Sequence, residues 1–147
     1  MAFKFSTGLR NGMLGATGFK ALMDGFRVRI YAGAEPATAD AALGGATLLC
    51  ELTVSGDGTT NLNFGSPAAA VISKAAGEVW SGTAVATGDA TFFRAVKTTD
   101  TGASSTTDLR IQGTVGELGA DMNLSDATFT SGTPFTLNYF SVALPTA

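Results

Sequence analysis

From residue 26 onward the chain is written in short runs that alternate apolar and polar side chains. Phe26, Val28 and Ile30 alternate with Arg27, Arg29 and Tyr31, and Leu109, Ile111, Gly113 and Val115 alternate with Arg110, Gln112 and Thr114. A period of two sends successive side chains to opposite faces of a strand; a helix would need apolar repeats at three and four. Runs of this kind are expected at 26–31, 47–54, 60–64, 71–73, 77–80, 83–87, 91–97, 109–115, 122–124, 127–130 and 135–144. Between them lie turn formers: Ser55-Gly56-Asp57-Gly58 is a strong turn signal, because Asp-Gly accepts a positive φ. The segments 33–45 and 98–108 are expected to be longer polar loops.

About eight to ten short strands drawn from these eleven runs, with frequent turns and no strand–helix alternation, predict an all-β fold. A β-sandwich of jelly-roll type is expected, with another sandwich or a closed barrel as the competing topologies. The final run, Phe135 to Leu144, is apolar over part of both its faces, which predicts a strand covered on both sides. Residues 1–25 do not follow the alternation. Phe3 and Phe5 flank Lys4 as in a short strand or extended arm, Ser6 or Thr7 can cap a helical turn, and Leu9, Met13 and Leu14 sit at helical spacing. The expected organisation is therefore an N-terminal arm with short helical turns at 1–25 and a β-sandwich domain at 26–147.

Composition then narrows the chemistry. The 147 residues are 45% hydrophobic but only 14% charged, against about 25% in a typical soluble domain. The surface must be built largely from Thr, Ser, Asn, Gly and Ala, and such a surface is either weakly hydrated or partly covered by partners. There is no histidine, which removes the commonest general base and transition-metal ligand. The net charge of −3, with no block of Lys or Arg, predicts no nucleic-acid surface. No apolar stretch approaches the length of a membrane span, and the N-terminus lacks the apolar core of a secretory signal, so no membrane partner and no secretion are expected. The one cysteine, Cys50, lies in an apolar strand and is read as a core residue.

No constellation for catalysis emerges. A Ser-His-Asp or Cys-His arrangement is impossible, and no phosphate-binding glycine loop is present. Most acidic residues sit beside Gly, Ser or Thr, where a carboxylate bonds its own backbone in a turn. Loops around Asp57 and around Asp121, Asn123 and Asp126 carry hard oxygen ligands without the spacing of a calcium loop, so no metal or other cofactor is expected. Trp80, Phe92, Phe93, Tyr31 and Tyr139 are candidates for a sugar platform, with core or interface burial as the plainer alternative. The interface candidates are Phe3 and Phe5, able to add a strand to a neighbour's sheet edge; Arg27 and Arg29, suited to ion pairs with another subunit or, equally, to a plain solvated face; and Phe140 and Val142 in the last strand.

Several segments carry a resemblance. IYAGAEPATADAALGGATLLCELTV (30–54), ISKAAGEVWSGTAVATGDATFFRAV (72–96), IQGTVGELGADMNLS (111–125) and the closing FSVALPTA (140–147) are similar to small virion structural proteins of tailed bacteriophages, as is STGLRNGMLG (6–15). These are strand and turn patterns, so they bear on fold more than on role. The resemblance implies a virion location after synthesis in the host cytoplasm. A capsid decoration or cementing protein is expected, acting as a homotrimer or other homo-oligomer bound to the major capsid protein. The alternative is a tail- or neck-associated structural protein, or a receptor- or glycan-binding module.

Overall fold

The computed structural model describes residues 3–144, and they form a mostly β molecule with antiparallel pairing throughout its large sheet, apart from one short parallel contact. The N-terminal segment supplies β1 (Lys4–Phe5), α1 (Thr7–Leu14) and α2 (Phe19–Met23). Seven strands follow: β2 (Phe26–Ala32), β3 (Thr47–Val54), β4 (Val71–Ser73), β5 (Trp80–Thr83), β6 (Gly88–Asp89), β7 (Phe92–Lys97) and β8 (Arg110–Gly116). Short strands complete the chain: β9 (Met122–Asn123), β10 (Thr128–Phe129), β11 (Pro134–Leu137) and β12 (Ser141–Ala143). The principal sheet runs β1-β8-β7-β2-β3-β5-β11, with β9 beside β8; β10–β6 and β12–β4 are separate two-stranded ladders.

Register decides what each face carries. Val28 lies opposite Ala95 and Leu52, and Ala95 opposite Ile111, so these residues share one face with Phe26, Ile30, Phe93 and Val115. That face is the core. It is covered by Leu9 of α1, Met23 of α2, Leu62, Phe64, Ile72 and Phe140. Aromatic rings dominate it: Phe26 stacks on Phe64 at 4.8 Å and meets Trp80 edge-on at 5.3 Å, while Phe3 stacks on Phe140 at 5.6 Å. A bulge where Ile30 and Tyr31 face Cys50 and Leu48 lets the consecutive Leu49 and Cys50 both be buried.

The N-terminal segment shares this core. Ser6 caps α1 by accepting the Leu9 amide at 3.2 Å, and its Oγ also accepts the Arg110 amide at 2.9 Å and donates to the Asp108 carbonyl at 2.7 Å. Gly8 makes this docking possible: a Cβ there would stand 2.3 Å from the Thr107 carbonyl oxygen. Leu14, placed by helical spacing among the apolar positions, is instead 87% exposed, because α1 ends there and Gly15 turns the chain away.

Three strand expectations need correction. Runs at 77–80 and 83–87 are replaced by the single strand β5, which continues through Gly82. That glycine marks a close approach and not a turn, since a Cβ would meet the Glu51 carbonyl oxygen at 2.2 Å. The run 60–64 pairs only through isolated bridges, Phe26 with Leu62 and Phe64 with Lys74. The final run 135–144 is not one strand. It breaks at Asn138–Phe140, and its two halves join different ladders: β11 pairs with β5, and β12 with β4. Its two-faced apolarity reflects this break, with Leu137, Phe140 and Val142 turned inward from different strands and Tyr139 left outside.

Candidate functional site

The face of the sheet opposite the core holds most of the chain's arginine. Arg27, Arg29, Arg94 and Arg110 share it with Glu51 and Gln112, because each lies one residue out of phase with the core positions. Two long loops, 33–46 and 98–109, cover this face and are held to it by side chains. Arg110 is fully buried. It donates to both Asp100 oxygens, with Nη2 at 3.0 Å from Oδ1, and to the carbonyls of Ala103 at 2.7 Å and Ala39 at 3.0 Å. Arg94, 1% exposed, donates from Nε to Gln112 Oε1 at 2.8 Å and from Nη2 to the Ala41 carbonyl at 2.7 Å. Its Nη1 is buried without a partner among the described residues. Gln112 donates in turn to the Pro36 carbonyl and to Glu35.

Arg27 and Arg29, read as partners for another subunit or as a solvated face, converge on Glu51 of their own chain. Arg27 Nη1 lies 2.8 Å from Glu51 Oε1, and Arg29 Nε 2.6 Å from Oε2. Burial works against both charged partners here, yet the hydrogen bonds and attraction between them win: Glu51 titrates below its ordinary value and Arg29 above its own. Among the described residues no carboxylate is bonded to Arg94. Burial first, and the neighbouring Arg110 second, bring its pKa down, though an arginine stays charged at any working pH. The layer acts as a clamp, fastening two loops to the sheet.

The remaining acids mostly organise backbone. Asp57 Oδ1 accepts the amides of Thr59 and Thr60, and those bonds, together with the Thr60 hydroxyl, hold the carboxyl well below the usual range. Asp40 accepts both the amide and the hydroxyl of Thr7, linking the first loop to α1, and its pKa is lowered chiefly by that hydroxyl. Glu78 accepts from the Trp80 indole and from the Asn63 amide and side chain, all at 2.9 Å. Among the described residues no three of His, Cys, Asp and Glu converge as a metal group. Cys50 is buried, and burial pushes its thiol up to about 11.

The other candidate residues are placed as follows. Phe5 lies on β1 and Phe3 immediately precedes it; β1 pairs with β8 of the same chain, Lys4 opposite Gln112 and Phe5 opposite Ile111. Phe140 and Val142 are buried in the same molecule. All six interface candidates thus make intrachain contacts, and an interchain strand from Phe3 and Phe5 would require β1 to leave β8. Of the proposed aromatic platform, Trp80, Phe92, Phe93 and Tyr31 are buried, and Tyr31 stacks on Phe92 at 5.0 Å. Tyr139 alone of the five is outside, 90% exposed.

A search of family models, of curated proteins and of solved structures finds no significant match.

Two surface features stand out. An apolar groove of about 300 Å³ lies between the start of α2, the 67–72 turn and β12, lined by Phe19, Pro67, Val71, Ile72, Val142 and Leu144. Ala70 lines it as well, and both Ala69 and Ala70 sit in the left-handed region, with φ of 51° and 62°. Sequence reasoning registered this stretch only as a break in the alternation; two alanines give no sign of a positive φ. The second feature is the group of clefts around Tyr139, described below.

Proposed function

We propose that this chain is a bacteriophage virion structural protein, a capsid decoration or cementing protein that assembles with copies of itself and stabilises the head by binding the major capsid protein. The observation that carries this reading is the division of the chain's polar groups. Arg94, Arg110 and Asp100 are turned inward to fasten loops 33–46 and 98–109, Arg27 and Arg29 are paired with Glu51, and only 14% of the chain is charged. The surface carries exposed Leu14, Leu118, Val85, Val79 and Leu144, together with the apolar groove. Large apolar side chains on a weakly charged surface favour coverage by another protein. The sequence resemblance to small virion proteins of tailed phages supports the same assignment.

In this reading the protein has no catalytic step, no cofactor, and no nucleic-acid or membrane partner. It is made in the host cytoplasm and ends in the particle. The β12–β4 ladder and the adjoining segments then act as the second layer of a sandwich related to the jelly roll, a rigid body suited to repeated contacts around a ring. A stable contact of this kind buries about 800 Å² per partner. Purified protein added to phage heads that lack it tests the proposal. Saturable binding that raises the heads' resistance to heat supports a cementing role; no binding to heads contradicts it. A tail- or neck-associated role predicts binding to that part of the particle instead.

A further inference from the structure

The break in the final β segment leaves an unusual object on the surface. Asn138, Tyr139 and Phe140 connect two strands that belong to different ladders; Phe140 turns into the core, and Tyr139 is driven outward. A tyrosine carries a large apolar ring, and one left 90% exposed forgoes the burial that the chain's other aromatic side chains obtain wholly or in part. It is not on a featureless surface. Three clefts meet at it. One, of about 270 Å³, runs past Asp121, Asn123 and Ser141; a second, of about 360 Å³, past Ser73, Lys74 and Asn138; a third, of about 190 Å³, past Asn123, Ser125 and Thr136.

The polar groups of these clefts are short and neutral for the most part. Asn138, Ser141, Ser73, Ser125 and Thr136 are all exposed. Asn123 is held in place by its own loop: its Oδ1 accepts the Ala120 amide at 3.0 Å, and its Nδ2 donates to the Ala120 carbonyl at 3.1 Å. That leaves one amide hydrogen and one lone pair of Asn123 directed away from the loop, on a fixed side chain. Lys74 is likewise fixed, donating to the Glu78 carbonyl and lying over the Trp80 ring at 5.9 Å.

We propose that the surface around Tyr139 is a binding site for a neutral carbohydrate. The ring offers a flat apolar platform for the C–H face of a pyranose, and the flanking amides and hydroxyls offer paired donors and acceptors for its equatorial hydroxyls. Anionic ligands fit poorly, since the one cation in the clefts is already engaged and Asp121 stands at the edge of the first. The cleft volumes lie at or below the small end of small-molecule sites, the size class of one or two sugar rings, not of a buried cofactor. The site is independent of the capsid reading: it serves a decoration protein or a tail module equally.

The test is titration of the intact, isotopically labelled protein with the methyl glycosides of glucose, galactose, mannose and N-acetylglucosamine, followed by amide chemical shifts. At least one glycoside should move the amides of residues 121–125 and 136–141 in a saturable manner. Because Tyr139 is exposed, Tyr139→Ala should fold normally and bind about tenfold more weakly, the effect of losing one stacking contact. Tyr139→Phe, which keeps the ring, should retain most of the affinity. Failure of all four glycosides to move these amides overturns the proposal, as do shifts that map elsewhere or that survive Tyr139→Ala unchanged.

Discussion

Arg110 and Glu51 show how single charges are used in this molecule. Arg110 is buried and bonded to Asp100 and to backbone carbonyls from both covering loops. Arg110→Ala would strand the Asp100 carboxylate under those loops, and a loss of about 3–5 kcal/mol in unfolding free energy is expected by denaturant titration. Amide exchange in 98–109 should rise with it. Glu51 works at the half-buried level. Its carboxyl titrates below its ordinary value of 4.5 in the folded chain, so its contribution is complete above that pH and fades as pH falls through the lower folded value. Urea midpoints should therefore drop on acidification below about 4.5, and Glu51→Gln should make that drop shallower while costing about 2 kcal/mol at neutral pH. Cys50, with its thiol raised and fully enclosed, should react with a thiol reagent only as fast as the chain unfolds.

At the scale of elements, close backbone approach matters as much as apolar pattern. Gly82→Ala places a methyl group against the Glu51 carbonyl, between β5 and β3, and should cost about 1–3 kcal/mol, measured by thermal unfolding. The N-terminal arm is a second case. Read from sequence alone, Phe3 and Phe5 are able to add a strand to a neighbour's sheet edge. In the structure Phe3, Phe5 and Ser6 build part of the core and its edge, so deleting 1–8 is expected to lower the melting temperature sharply; an unchanged melting temperature would contradict this. Strands with clear alternation and strong turn neighbours were legible in the sequence: β2, β3, β4, β7 and β8 lie where the pattern puts them, within a residue or two. What could not be read was long-range. The alternation of β2 separates Arg27 and Arg29 from the core but cannot say whether solvent, a partner or two loops cover them. The apolar run at the C-terminus looks continuous, because the interruption at Asn138–Phe140 comes from pairing with two different strands. Tyr139 carried the right chemistry in the sequence, yet nothing local distinguished it from the buried Tyr31.

For the molecule as a whole, a single aromatic core binds helices, ladders and principal sheet together, and a layer of arginine fastens the loops on the other side. Rigidity of this kind suits a part whose role is to hold a shape against neighbours. Phe140→Asp would place an unpaired charge among Phe3, Phe64, Trp80 and Phe93 at a cost of several kcal/mol, and loss of folded protein and of assembly together is the expected result. The measurement that bears most directly on the central proposal is the number of copies of this chain per purified phage particle, obtained by quantitative mass spectrometry against the major capsid protein. A decoration protein predicts a copy number that scales with the capsid lattice, a fixed simple ratio to the major capsid protein. A handful of copies per particle, or none, would contradict it.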